Sequence, residues 1–208
     1  MKMMKILIDS GHGSDTQGKC SPDRMLFEWI WTREIAARLF EVLHDKGYDC
    51  SLVTPELYDV DLKERVRRIN NHCRSYGAGN VVLVSIHVNA AGSGENWCNA
   101  RGFSVFVSKN ASSRSKDLSE SFFRVAKDRS MLGNRSIPKP DSEGRHFWTW
   151  SWTDKDIYIL KQSACPAVLT ENFFMDNKED CSYLLSEEGK DECVRLHADA
   201  ITRYVESL

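Results

Sequence analysis

Two histidines each follow an apolar run. His12 closes Met4-Lys5-Ile6-Leu7-Ile8-Asp9-Ser10-Gly11-His12-Gly13, and His87 lies at the end of Val81-Val82-Leu83-Val84-Ser85-Ile86-His87-Val88-Asn89-Ala90. A third run, Ala167-Val168-Leu169-Thr170, ends in Glu171. The runs are short, β-branched and bounded by turn residues, which is the pattern of buried strands. In an open α/β sheet, ligands bind outside the carboxyl ends of the strands. Imidazole is a frequent metal ligand, so two imidazoles and a carboxylate at one sheet edge point to a metal site.

The third ligand should come from near the first strand. The helix expected over about 25–46 offers Glu28 and Glu34. Each helical residue advances by about 100°, so Ile35, Leu39 and Val42 return to within roughly 40° of Glu28. Glu28 therefore opens the apolar, core-facing stripe. Glu34 falls roughly 120° away, beside Arg38 and Glu41, where it is solvated. An inward carboxylate needs a partner, because burying it bare is costly. Two His and one Glu with an open fourth position form a known catalytic zinc arrangement. Taken singly, each residue has a bland reading. A strand-end histidine caps or hydrogen-bonds its surroundings, and a glutamate at a helix start meets backbone N–H groups.

The remaining histidines lack this context. His44, His72 and His197 lie in expected helices, and His146 sits in an irregular aromatic stretch where it could line a cleft. The seven cysteines form no CxxC pair, which argues against a full disulfide framework and fits synthesis in a reducing compartment. They read as small buried hydrophobes. Cys165 has no basic neighbour in sequence to activate it. The net charge of −2 gives no basic field for nucleic acid. No signal-peptide pattern opens the chain and no run spans a bilayer, so synthesis in the cytoplasm without membrane insertion is expected.

Strands are expected at 4–9, 49–54, 80–87, 102–108 and 165–171, and helices at about 25–46, 61–76, 113–130, 177–186 and 188–206. Segment 131–156 reads as irregular. This alternation predicts an α/β fold: one three-layer domain with a twisted, largely parallel sheet of about six strands and helices on both faces. No linker or repeat divides residues 1–208, so a single domain without an appended module is expected.

In these residues the chain resembles the zinc-dependent N-acetylmuramoyl-L-alanine amidases of the amidase-3 type. That family opens with Asp-Pro-Gly-His-Gly-Gly after a strand; here the residues are Asp9-Ser10-Gly11-His12-Gly13-Ser14. Its Glu at a helix start, followed by Asn, is matched by Glu28 and Thr32. Ser-Leu-x-x-Arg is similar to Asp61-Leu62-Lys63-Glu64-Arg65, and Ser-Ile-His-Ala-Asn-Ala to Ser85-Ile86-His87-Val88-Asn89-Ala90. Pro-Ala-Val-Leu-Val-Glu, then Gly-Phe, is matched by Pro166-Ala167-Val168-Leu169-Thr170-Glu171 and Asn172-Phe173. Among the departures are Ser10 for Pro, Ser14 for Gly, Thr32 for Asn and Asn172 for Gly; none removes a chemical residue. The likeness covers essentially the whole chain, except that 141–156 matches poorly.

The resemblance implies that His12, Glu28 and His87 hold one Zn2+ and that Glu171 is the catalytic acid/base. It implies cleavage of the amide joining N-acetylmuramic acid to L-alanine in peptidoglycan, after release or export of the protein to the wall. A zinc peptidase acting on the stem peptide and an inactive wall-binding module are the alternatives. Asn89 is a candidate substrate contact, though holding the loop after His87 suits it better. Arg101, in the loop 91–101 with Trp97, is a candidate partner for a stem-peptide carboxylate. Trp148, Trp150 and Trp152 alternate with small polar residues, which would align them on one face as a glycan platform or as a hairpin covering the core.

Overall fold

Parallel strands buried on both faces need unbroken apolar sequence. Strand β1 (Lys5–Ser10) and strand β3 (Val81–Asn89) have it, and they lie side by side at the centre of a six-stranded sheet. The computed structural model describes residues 4–134, 137–149 and 156–208. Between these strands come helix α1 (Glu28–Asp45), strand β2 (Asp49–Leu52) and helix α2 (Leu62–Tyr76). Strand β4 (Ser104–Val107), helix α3 (Ser113–Asp128), strand β5 (Trp148–Thr149) and helix α4 (Tyr158–Gln162) follow. Strand β6 (Ala167–Phe174), helix α5 (Lys178–Leu185) and helix α6 (Glu187–Glu206) complete the chain.

The strand order is β2-β1-β3-β6-β4-β5. All neighbours pair parallel except β4 with β6, so the expected three-layer, largely parallel α/β architecture is present, with one reversed pairing. Alternate residues of each strand serve two cores. Ile6, Ile8, Val84, Ile86 and Val168 pack under α1, α3, α5 and α6. Leu7, Leu83, Phe106 and Leu169 pack under α2 and α4.

Several bounds differ from the sequence expectation. Helix α1 begins at Glu28 rather than near 25, because Phe27 is extended and Cys20 bridges to it. Strands β3 and β6 run beyond His87 and Glu171, so both residues lie inside their strands rather than at the tips. The stretch expected to be irregular contains β5, whose Trp148 pairs with Phe106 of β4.

Candidate active site

The β1–α1 connection carries His12 with a left-handed backbone, φ 60°, between two glycines. Both glycines are required by close approach. A Cβ on Gly11 would sit 2.5 Å from the His87 ring, and one on Gly13 would collide with the Asp59 backbone. His12 is held from behind by two arginines, since its carbonyl accepts from Arg33 Nη2 at 2.8 Å and from Arg65 Nη2 at 3.2 Å. Arg65 is buried and uses its whole guanidinium. It also donates to Val60 O, Asp9 Oδ1, Ser10 O and Asp59 Oδ1, at 2.8, 2.9, 2.6 and 2.7 Å. Asp9 is fixed further by the Ser85 hydroxyl at 2.6 Å, across the β1–β3 pairing.

Glu28 is the first residue of α1 and is 1% exposed. Its carboxylate does not cap its own helix. Oε1 accepts from the Val88 N–H and faces His87 Nδ1, both at 3.0 Å, and Oε2 lies 3.3 Å from His12 Nε2. Burial alone would raise its pKa, but the His87 hydrogen bond, both imidazoles and the Val88 N–H outweigh it, and Glu28 stays ionised. Burial lowers the His12 pKa to about 4, against the pull of Glu28, so its ring is neutral with a free lone pair. Burial would also lower the His87 pKa, but Glu28 raises it on balance. Donor atoms of His12, Glu28 and His87 all lie within 4.8 Å of one another. Metal–ligand bonds of about 2.0–2.1 Å at tetrahedral angles place donor atoms roughly 3.3–3.4 Å apart; Glu28 Oε2 and His12 Nε2 have that spacing at 3.3 Å, within the wider 4.8 Å span of the three donors.

Glu171 pairs in register with His87 across β3 and β6. Strand alternation sends both side chains to the same face. A cleft of about 450 Å³, lined by His12, His87, Asp59, Leu62, Arg65 and Ile159, opens on that side. The site therefore combines two imidazoles, an ionised carboxylate, a neighbouring second carboxylate and an open side.

The other candidates lie elsewhere. Asn89 Oδ1 accepts from the adjacent Ala90 N–H at 2.9 Å, which is a loop-holding contact. Arg101 is ion-paired with Glu179 at 2.6 Å. Trp148 packs half-buried against the core from an edge strand, two strands beyond Glu171 and thus roughly 10 Å away. Trp148 and Thr149 pair parallel with Phe106 and Val107 of β4. Trp150 and Trp152 lie outside the described residues. His146 stacks on Phe123 at 4.1 Å and pairs with Glu120, away from the cradle. Glu34 is half-exposed and pairs with Arg38 and Lys190.

Sequence reasoning missed the roles of Arg33, Arg65 and Asp176. Asp176 is buried and accepts from the N–H groups of Ala91 and Gly92, which anchors the loop after His87. The departure Thr32 is likewise built in, as its hydroxyl donates to Gly11 O at 3.1 Å.

Residues 6–203 match the family model described as N-acetylmuramoyl-L-alanine amidase. The chain is 27% identical over 201 residues to the sporulation-specific N-acetylmuramoyl-L-alanine amidase of Bacillus subtilis (strain 168), covering 96% of this chain and 67% of that protein. It is 23% identical over 200 residues to the endolysin of Bacillus phage SPP1, covering 94% of this chain and 64% of the endolysin. The structure of an N-acetylmuramoyl-L-alanine amidase from Clostridium difficile 630 superposes with a TM-score of 0.77 at 23% identity, over 100% of this chain and 99% of that one.

Proposed function

The chain belongs to the N-acetylmuramoyl-L-alanine amidase family, and from that premise we propose that it is a zinc-dependent hydrolase of the amide between N-acetylmuramic acid and L-alanine in peptidoglycan. The observation that carries the metal assignment is the cradle of His12, Glu28 and His87, whose donor atoms converge within 4.8 Å. The donor set is that of a catalytic zinc site, two imidazoles and a carboxylate. One imidazole is held neutral by burial, as ligation requires. A zinc ion there would supply a Lewis acid that polarises a carbonyl and lowers the pKa of water to about 7.

The residues of the chain perform the rest. Glu171, beside His87, takes the proton from the attacking water at its carboxylate and delivers it to the departing L-alanine nitrogen. That transfer is needed because an amine is a poor leaving group until protonated. Glu28 orients His87 and is itself fixed by the Val88 N–H, so one ligand sets the position of another. Arg33 and Arg65 keep His12 in its left-handed conformation. The substrate lies in the cell wall. No helix among the described residues is long and apolar enough to cross a membrane.

The test is Glu171→Gln, with metal content and muropeptide turnover measured on one preparation. Full zinc with turnover reduced by at least about 10²-fold, and free L-alanine amino termini appearing on intact stems only with wild-type protein, supports the assignment. Lost zinc would make Glu171 a ligand. Near-normal turnover would remove it from the mechanism. Cleavage within the stem would make the protein a peptidase, and binding without cleavage a wall-binding module.

A further inference from the structure

We propose that His197, buried in α6 on the far side of the sheet, is a positioning residue for Glu171, acting through Thr170 and Asn172. The proposal rests on the reading of Glu171 as the acid/base.

Thr170 and Asn172 flank Glu171 in β6. Alternation along the strand sends them towards the α6 core while Glu171 lies on the opposite face of the sheet, the face of His87. His197, Thr170 and Asn172 are each fully buried. They form a continuous hydrogen-bonded chain whose two ends are carbonyl oxygens, which only accept. At one end His197 Nδ1 donates to Cys193 O at 2.7 Å. Its Nε2 is then the acceptor and takes the Thr170 hydroxyl at 2.9 Å. Thr170 Oγ1 in turn accepts from Asn172 Nδ2 at 3.2 Å. The second N–H of that amide reaches His87 O at 2.9 Å. The Cys193 carbonyl fixes Nδ1 as a donor, and in the neutral ring Nε2 is then the acceptor for the Thr170 hydroxyl, whose other neighbour, Ser85 O, is farther away at 3.4 Å. Burial supports the neutral ring by lowering the His197 pKa to about 4.

The chain is placed where β6 is irregular. Register passes from His87↔Glu171 to Asn89↔Phe174, so β6 has one residue more than β3 over this interval, and Phe173 is left-handed at φ 62°. Bulges of this kind re-aim side chains, and a non-glycine residue at positive φ persists only when its surroundings hold it. The Asn172 amide ties this bulge to the carbonyl of His87, and His197 fixes the far end of the tie. Thr170 and Asn172 replace the Val and Gly of the family motif, neither of which has a side chain able to make these bonds.

The first measurement needs no variant: 15N–1H correlation of the imidazole of His197 in the zinc-loaded wild-type protein should show the neutral Nδ1–H form. The Nε2–H form would overturn the proposal. The second is Thr170→Val, which keeps the volume and deletes the link. It should lower kcat about 10- to 100-fold, the scale of an ångström-sized misplacement. KM should stay within about two-fold and zinc content unchanged. His197→Gln, whose amide oxygen can reach the position of Nε2, should retain more of kcat than His197→Leu, and this pair decides if Thr170→Val does not fold. Wild-type kcat in Thr170→Val while Glu171→Gln is inactive would refute the positioning role and leave the acid/base reading standing. An active Glu171→Gln would refute that reading itself.

Discussion

Replacing Arg65 with methionine removes a buried guanidinium while keeping much of its apolar stem. Arg65 and Asp9 have side chains only 3% and 1% exposed, at 2.9 Å. Without Arg65, Asp9 keeps the Ser85 hydroxyl at 2.6 Å and a long contact to Thr54 at 3.4 Å, with no opposite charge. Leaving one partner of a buried ion pair uncompensated costs about 3–5 kcal/mol. In a domain of this size each kcal/mol moves Tm by about 2–4 °C, so a fall of about 6–20 °C is expected. Arg65→Lys should be intermediate, because an ammonium has three donors for the five acceptors around the guanidinium. Zinc affinity should weaken by about 10- to 100-fold and not vanish, since Arg33 still holds His12 O at 2.8 Å. The assay is urea unfolding of Arg65→Met, Asp9→Asn and the double variant, with zinc competition on each. The double variant should be more stable than the sum of the single losses implies, because the neutral amide introduced by Asp9→Asn needs no counter-charge. A cost below about 1 kcal/mol for Arg65→Met would refute the reasoning, given that exposed pairs have that value. Strict additivity would refute it as well.

Gly11→Ala should displace the His87 ring, whose nearest atom would lie 2.5 Å from the new methyl; zinc titration should show weakened binding with a largely retained far-UV spectrum. Glu28→Ala should lose zinc and turnover, whereas Glu34→Ala, which breaks half-exposed pairs with Arg38 and Lys190, should keep both and change stability by no more than about 1 kcal/mol. His197 titrates at about 4 when folded, against its ordinary value of 6.5. As pH falls through that window the unfolded chain takes up a proton that the folded one refuses, so this residue destabilises the fold by up to about 3 kcal/mol near pH 4 and by nothing above about pH 7. Unfolding free energy measured from about pH 7 to about pH 4 should therefore fall less steeply in His197→Gln than in wild type; parallel slopes would contradict the depressed pKa.

His12, His87 and Glu171 were legible because apolar runs announce strands and the residues closing them must lie near one sheet edge. Glu28 was legible from helix phase: Ile35 and Leu39 are fully buried with it, although at the end of the stripe Leu43 rather than Val42 is the deeply buried residue. The irregularity of β6 was not legible, because no local pattern marks a bulge whose extra residue is phenylalanine. Nor was the placement of Arg101, whose partner Glu179 is distant in sequence. At Trp148 and Thr149 the alternation matches extended backbone, but alternation does not say which strand such a segment pairs with, here β4 in parallel.

Helix phase turns two further polar residues inward as it does Glu28. Arg65 shares the buried side of α2 with Val66, Ile69 and Cys73, and His197 lies one helical turn after Cys193 and one before Ile201 in α6. A polar group that helix phase turns inward must find partners in the core. Each of the three finds them at the same sheet edge, from a different helix and from both faces. Glu28 meets His12 and His87, Arg65 meets Asp9 and the backbone of Ser10 and His12, and His197 meets Thr170 beside Glu171. The cost of burying these groups is thus concentrated around four side chains whose positions chemistry would need to control. A left-handed histidine such as His12 stores about 1–3 kcal/mol of backbone strain and survives only where its surroundings over-determine it. The clamp of Arg33 and Arg65 on its carbonyl supplies that determination from protein atoms alone, so the position of His12 does not depend on a metal to hold it.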